Sequence, residues 1–484
     1  MTSIVRAFLL PVFFKRDTAP HSGIGSSIVN QASPQCVEET IAALATAVGG
    51  ALAVIRISGG QAAAVADRAW SGSVPLRNPP FRQVRLGRVL DAEGNVVDQT
   101  LAFHLPGPRS YTGEDMVEIH CHGGPLGARL VLLRVLACGA RHAEPGEFTR
   151  RAFVNGKIDL TQAEAVSDLI QAHSEMALHL ANRQLEGRLG SRVAAIYENL
   201  MQVFAEVESH LDFVEEDLDW QPVEKLANAC KNAERDCRLL LDSRREGEVL
   251  RSGIRLVLAG PPNVGKSSLL NAILGRERAI VTHLPGTTRD TLEELAHIRG
   301  IPCRVTDTAG LHEAADLVER SGMDRARASL RQAQIVLWVF DARQPTSLDS
   351  EDIPSAARVI TVANKADLVA GGIEQARERF ADEAVATCAL SGEGLDDLFD
   401  LIEKSVWDTP HSAEPDVAVS ARHAAHLQDS LPLLTDARTN LCHGEWELAS
   451  VSLRAALEAV GRVIGKTVAP DVLDTIFSKF CIGK

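Results

Sequence analysis

The stretch IRLVLAGPPNVGKSSLLNAIL, residues 254–274, decides how this chain is read. IRLVLAG is an apolar run of strand length, and SSLLNAIL has the spacing of a helix. Between them GPPNVGKSS (260–268) matches Gly-x-x-x-x-Gly-Lys-Ser/Thr. A strand feeding a glycine turn that opens a helix is the context in which this pattern cradles phosphate. Gly260 and Gly265 let backbone N–H groups curl toward an anion, and the helix N-terminus adds partial positive charge. Asn263, Val264 and Ser268 belong to the same cradle. Lys266 is placed to reach the β- and γ-phosphates, and Ser267 to put its hydroxyl on Mg²⁺.

Working outward, further apolar strands follow: CRVTDTAG, IVLWVFDA and RVITVANK. Alternating with helices, they predict a doubly wound parallel sheet. Asp307 ends the first of them, where an acid can hold a Mg²⁺ shell. Thr308, Ala309 and Gly310 follow, and Gly310 lets the backbone approach a γ-phosphate. NKAD, comprising Asn364, Lys365, Ala366 and Asp367, follows the third. Asp367 can accept from guanine N1–H and the 2-amino group while Lys365 covers the base plane, so the element favours GTP over ATP. CALSGEG (388–394) is placed to contact the base through Cys388, Ala389 and Leu390, with the Ala389 N–H toward guanine O6. THLPGTTRD (282–290) supplies Thr282, His283, Leu284, Pro285, Gly286, Thr287 and Thr288. Both Thr287 and Thr288 are candidates to reach Mg²⁺ or the γ-phosphate; an ordinary turn is the alternative. One position is discordant. Ras-like GTPases usually place a water-orienting Gln after the switch Gly, but here it is Leu311, which cannot hydrogen-bond through its side chain.

At 484 residues the chain is too long for one ordinary core. A net charge of −14 argues against indiscriminate nucleic-acid binding. A local basic face remains compatible with it, and Arg129, Arg134, Arg141, Arg150, Arg151 and Lys157 could form one or be ordinary solvated charges. The nine cysteines are odd in number and lack a CxxC pair, which points to a reducing compartment without a disulfide framework. HCHGG (120–124) lacks a second ligand pair, so the spacing argues against a metal. No segment has the apolar length of a membrane span. IVRAFLLPVFFKR near the start is open to reading as a targeting piece, an interfacial anchor or a misassigned start.

The organisation that follows is multidomain α+β and α/β. Residues 1–37 read as an N-terminal extension, disordered by composition. Short β-like runs with Gly/Pro turns over 38–157 predict an α+β module with one helix, GARLVLLRVLACG. Helical periodicity over 158–250 and again over 407–484 flanks a GTPase domain at 251–406, which is thus inserted into a helical domain. The acidic stretch 206–219 reads as a solvated helix end.

Asn263 in the phosphate loop and GTTRD as first switch resemble the TrmE–Era–EngA group of GTPases. SYTGEDMVEIHCHGG, PGEFTRRAFVNGKIDLTQAEAVSDLIQAHS and the terminal FCIGK narrow the resemblance to the MnmE (TrmE) family of tRNA modification GTPases, over about 39–484. That family carries Leu at the switch. The resemblance implies a bound K⁺, held by Asn263 with oxygens around Thr282, Leu284 and Thr287, which offsets charge between the β- and γ-phosphates. Mg²⁺ would lie on Ser267 and Thr288, and Glu319 would orient water as the catalytic carboxylate beside Lys266. It implies a tetrahydrofolate site, for 5-formyltetrahydrofolate or a relative, at Arg56, Glu118, Lys157 and Lys484. A carboxylate suits the pterin's donor edge, and cations suit the acidic folate tail. Cys481 becomes a candidate functional thiol.

The resemblance further implies a homodimer through the N-terminal module, a cytoplasmic setting, and partnership with the flavoprotein MnmG in a heterotetramer. The pair would install a carboxymethylaminomethyl or aminomethyl group at C5 of the wobble uridine of tRNA. Two departures stand out: TAVGGALAVIR lacks the family's prolines, and CAL replaces a Ser-Ala-Lys or Ser-Ala-Arg guanine loop. A ribosome-assembly RNA-binding switch is the alternative function, and a membrane-associated regulatory GTPase a third. The CIGK end does not make a prenylation box, having Lys last and no polybasic lead-in.

Overall fold

The structure, a computed structural model, describes residues 39–172, 174–213, 220–277, 293–307, 328–346, 353–381, 383–407 and 416–484. The N-terminal module is one sheet with strands β1 (Ile41–Leu44), β2 (Leu52–Ser58), β3 (Trp70–Gly72), β4 (Arg85–Leu90), β5 (Val96–Leu105), β6 (Met116–His122) and β7 (Arg141–His142). Their order is β3-β4-β5-β6-β2-β1-β7, antiparallel except for the parallel β1–β7 pair. Helices α1 (Ala62–Ala69) and α2 (Pro125–Ala137) cover one face. Period-2 alternation sorts the side chains. Ala53, Ile55 and Ile57 of β2 and Val117, Ile119 and Cys121 of β6 share the core with those helices. Arg56 and Glu118 therefore stand on the opposite face, directly across from one another in the register. The module holds a third helix, α3 (Glu147–Val154), where one was expected. The Ala-rich α1 and the Arg-bearing α3 are too short to show several turns of apolar period.

Helices α4 (Leu160–Gln171), α5 (Glu175–Leu185), α6 (Arg188–Asp212), α7 (Val223–Asp242) and α8 (Arg244–Ser252) follow. Asp159 caps α4 in a full capping box, its carboxylate accepting from Gln162 N. Leu189, Val193, Ile196, Leu200, Val203 and Val207 form the apolar stripe of α6, at the spacing that keeps one helix face inward.

The chain then enters a second sheet of β8 (Ile254–Ala259), β9 (Glu293–Ile298), β10 (Ile301–Asp307), β11 (Ile335–Asp341), β12 (Arg358–Asn364) and β13 (Val385–Ala386), in the order β13-β12-β11-β8-β10-β9. Helices α9 (Lys266–Glu277), α10 (Gly372–Phe380) and α11 (Leu395–Val406) complete this unit. The sheet is mixed where an all-parallel one was expected, because β9 pairs antiparallel to β10. As an edge strand reading EELAHI it lacks the unbroken apolar run that marks the buried β11. Strand order reverses at β8, which opens a crevice at its C-terminal end.

Helices α12 (Ala421–His443), α13 (Trp446–Ile464) and α14 (Pro470–Phe477) end the chain. Leu427, Leu434, Leu453 and Val460 share one core with Leu200, Val203, Cys230 and Cys237. Segments on both sides of the second sheet thus build a single helical domain, and the sheet unit is inserted in it.

Candidate functional site

The phosphate loop spans the crevice above β8. Gly260 has φ +140°, and a Cβ there would stand 2.0 Å from Val339 O. Gly265 has φ +94° and no room for a side chain against Asn364 Nδ2. Both are backbone positions for glycine alone. Lys266 is buried and donates from Nζ to Gly260 O (2.9 Å) and Pro261 O (2.8 Å). Burial draws its pKa down, with the charge of Asp307 opposing. Ser267 Oγ donates to Asp307 Oδ2 at 2.6 Å. A hydroxyl and a carboxylate side by side are oxygen donors of the kind Mg²⁺ takes, so this pair fits that ion.

The guanine element is knitted into the loop rather than laid beside it. Asn364 donates from Nδ2 to Val264 O (2.9 Å) and accepts on Oδ1 from Ala389 N (3.2 Å). Lys365 donates to Asn263 O (2.6 Å) and pairs with Asp341 (3.2 Å), so its stem is fixed over the base-binding side. Asn263 and Lys365 both adopt left-handed backbone, φ +64° and +60°. Asp367 and Leu390 are exposed and Cys388 is buried. The Ala389 N–H expected to meet guanine O6 is engaged by Asn364, because the loop doubles back with Cys388 N bonded to Glu393 O. Asp341 escaped the sequence reading although it ends the apolar run IVLWVFD. Hydrogen bonds from Arg343, with Lys365 adding charge, hold its carboxyl far below the ordinary range against some burial. Thr282, His283, Leu284, Pro285, Gly286, Thr287, Thr288, Thr308, Ala309, Gly310, Leu311 and Glu319 lie outside the described residues.

A second polar site sits on the open face of the N-terminal sheet. Arg56 Nε donates to Glu118 Oε1 at 2.9 Å, and His120 Nε2 lies 3.5 Å from Glu118 Oε2. Arg56 is flanked by the rings of Tyr111 and Phe148, each 5.7 Å from the guanidinium carbon. Burial opposes the Glu118 charge, but His120 and Arg56 outweigh it and hold the pKa down at about 2. The folded value lies below the ordinary 4.5, so the stability Glu118 contributes is full above that pH and drains away toward about 2. Glu118→Gln is expected to cost about 3 kcal/mol at pH 7, and calorimetry at pH 3 should find somewhat more than half of that gap closed.

The C-terminus reaches this site. Arg56 Nη1 donates to Gly483 O (3.3 Å), and Phe148 N donates to Lys484 O (3.2 Å). Burial and then Arg56 lower the pKa of Lys484. Cys481 is exposed. Lys157 instead donates to Pro108 O (3.0 Å) in the loop between β5 and β6. His120, Tyr111 and Phe148 were not foreseen here; SYTGED and EIHCH contain two of them, but only the register shows that they converge.

The supposed basic face is broken up. Arg141 and Arg151 share Glu147 at 2.8 and 2.9 Å, Arg151 also meets Glu114 and Arg141 meets Glu39. Arg150 pairs with Asp474. Glu147 lies one helical turn before Arg151, while Glu39, Glu114 and Asp474, distant in sequence, are brought to these charges by the fold. His122 bonds Asp98, and among the described residues no group of three or more His, Cys, Asp or Glu could hold a metal ion. No helix among them is long and apolar enough to cross a membrane.

Comparison with known proteins joins the two sites. Residues 40–157 match the family model for the GTP-binding protein TrmE N-terminus, and residues 160–481 match that for the MnmE helical domain. A tRNA modification GTPase MnmE from Geobacter sulfurreducens is 44% identical over 463 residues, covering 93% of this chain and all of that protein. Namesakes from Roseiflexus sp. (43%, 92% and 99% covered) and Symbiobacterium thermophilum (44%, 92% and 100%) are similar throughout. The solved G domain of the T. maritima FeoB iron transporter matches 32% of this chain and 99% of its own at 25% identity, with a TM-score of 0.24. Matched along nearly its whole length by these relatives and over 160–481 by one family model, the chain belongs to the MnmE family of tRNA modification GTPases.

Proposed function

We propose that this chain is a homodimeric, potassium-stimulated GTPase that works in the cytoplasm with MnmG on tRNA. Together they install a carboxymethylaminomethyl or aminomethyl group at C5 of the wobble uridine, drawing a one-carbon unit from a tetrahydrofolate such as 5-formyltetrahydrofolate. The observation that carries the reading is the convergence of the C-terminal segment Cys481–Lys484 on the Arg56–Glu118 pair. A carboxylate held ionised can accept a pterin's N–H edge, and Lys484 and Lys157 suit the acidic folate tail. Cys481, in the same segment, is the candidate thiol for the modification step.

In the GTPase unit Lys266 binds the β- and γ-phosphates, Ser267 and Thr288 hold Mg²⁺, and Asp307 supports that shell. Mg²⁺ and K⁺ supply positive charge where the leaving phosphate becomes more negative. Asn263, an exposed carboxamide beside the loop, is a fitting K⁺ ligand, with Thr282, Leu284 and Thr287 completing the set. Gly310 keeps the γ-phosphate approach open, and Glu319 takes over water orientation from the absent Gln, through a bridging water. Asp367 selects guanine while Lys365, its tip anchored on Asn263 O and Asp341, covers the base.

The test is GTP turnover in KCl and in NaCl at equal ionic strength. At least roughly tenfold stimulation by K⁺, lost in Asn263→Ala, is expected from an ion acting at the transition state. Equal slow rates in both salts would remove the ion from the mechanism. Nucleoside analysis of tRNA from cells lacking the gene tests the second half: unchanged wobble uridines would refute it.

A further inference from the structure

Two covalent links tie the GTPase unit to the helical domain: α8 into β8, and residues 416–420 into α12. One side chain holds both. Arg251, in the last turn of α8, donates from Nε to Asp168 Oδ2 of α4 (2.7 Å) and from Nη1 to Val419 O (3.1 Å). Its Nη2 donates to Ala418 O and to Gln184 Oε1 of α5, both at 3.0 Å. A guanidinium offers five N–H donors in a rigid plane, a fork that a lysine ammonium cannot reproduce. Here that fork joins α8, α4, α5 and the returning segment at one point.

The same helix face holds a second fastening. Glu164 lies one turn before Asp168 on α4. It accepts from Arg422 Nε (2.6 Å), and its Oε2 lies 2.7 Å from Nε2 of the fully buried His423. Arg422 in turn donates to Arg462 O and Val463 O of α13. Gln184 is also buried, and it passes the Arg251 contact on by donating from Nε2 to Thr161 O in the first turn of α4 (3.1 Å). Arg251 therefore grips α4 twice, directly at Asp168 and through Gln184 at Thr161.

Each end of this path leads to one of the two sites. Beyond Gly253, β8 runs from α8 directly into the phosphate loop. In the other direction α4 starts at its Asp159 cap, and Leu160 packs with Phe477 and Phe480, which lead into the C-terminal segment Cys481–Lys484. Beside the clamp lies a cavity of about 240 Å³ lined by Asp168, Leu180, Leu250 and Arg251 among others. Close-packed interiors resist displacement, so space at this point is where α4 and α8 can shift relative to one another.

We propose that Arg251 is a positioning residue that couples the nucleotide state of the GTPase unit to α4, and through α4 to the polar site at Arg56 and Glu118. The final link rests on the folate reading above; the link from nucleotide to α4 does not. A planar fork that holds four groups keeps or loses them together, which suits an element with two discrete arrangements. Such coupling is reciprocal, so occupancy of the polar site alters nucleotide affinity by the same factor.

Hydrogen exchange of α4 amides tests this in the full-length protein loaded with GDP or with a non-hydrolysable GTP analogue. In the unaltered chain α4 exchange should differ about fivefold or more between the two states. Arg251→Gln should reduce that difference below about twofold while GTP turnover and nucleotide affinity stay within about threefold; Arg251→Lys, with charge but no fork, should recover it only in part. Identical α4 exchange in both states of the unaltered chain, or a full difference in Arg251→Gln, would overturn the proposal. Should Arg251→Gln fail to fold, Asp168→Asn keeps the carbonyl bonds and gives the same comparison. Failure of the folate reading alone shows separately, as no binding of 5-formyltetrahydrofolate beside an intact nucleotide response in α4.

Discussion

Lys266→Ala should lower GTP turnover by roughly three orders of magnitude, measured as single-turnover hydrolysis at saturating nucleotide. The expectation follows from where the ammonium sits. It is buried, and its donors are held by Gly260 O and Pro261 O of its own loop. Burial already disfavours its charge, so a phosphate restores an interaction that the folded loop leaves incomplete. A charged donor aimed at developing charge in such a site is worth about 3–4 kcal/mol, against about 1 for an exposed pair. Nucleotide affinity should fall less than turnover, because backbone N–H groups still cradle the phosphates. A loss of less than about tenfold in turnover would mean that another cation neutralises the γ-phosphate. Ser267 is bonded to Asp307 rather than to Lys266, so the Mg²⁺ pair should survive the substitution.

Much of this was legible in the chain itself. Apolar runs of strand length, each closed by a glycine, an acid or NKAD, gave four strands of the GTPase sheet and the crevice they share. The insertion into a helical domain was legible as a change of period on both sides. What escaped depended on pairing across distance. β9 reads EELAHI, with neither an unbroken apolar run nor a regular alternation, and its pairing with β10 is what makes it a strand. Arg141 and Arg151 read equally as part of a basic face or as ordinary solvated charges, and only the fold brings Glu39 and Glu114 to them. Asp341 ends an obvious strand, yet its role beneath Lys365 depends on β11 and β12 being neighbours. Arg56 and Glu118 lie 62 positions apart and meet through the β2–β6 register, which no local pattern encodes. Thr287 and Thr288 are candidates by their place between the phosphate loop and the switch, whereas the K⁺ ligand set and Glu319 rest on resemblance alone.

Deleting Cys481–Lys484 should abolish tRNA modification, a drop beyond about a hundredfold, while leaving GTP turnover within about twofold of the full chain. The tail lies against the N-terminal module through one isolated bridge and a few backbone bonds. Ile482 bridges Pro145, Gly146 N donates to Cys481 O, and Phe148 N donates to Lys484 O. Arg56 closes the set on Gly483 O, so the same guanidinium holds both Glu118 and the tail. None of these contacts involves a residue of the phosphate loop or of NKAD, and Phe480, the last anchor in the core, is retained. Gly483→Ala separates the position of the tail from its chemistry. At φ +96° a Cβ there would stand 2.0 Å from Leu44 O, a backbone atom that cannot swing aside. The tail must then lift from the sheet with Cys481 and Lys484 still present, and modification should fall nearly as far as in the deletion. If Gly483→Ala were active and the deletion not, the side chains would suffice without the seated backbone. If the deletion also stopped GTP turnover, the two sites would be one catalytic unit, and their separate roles would have to be abandoned.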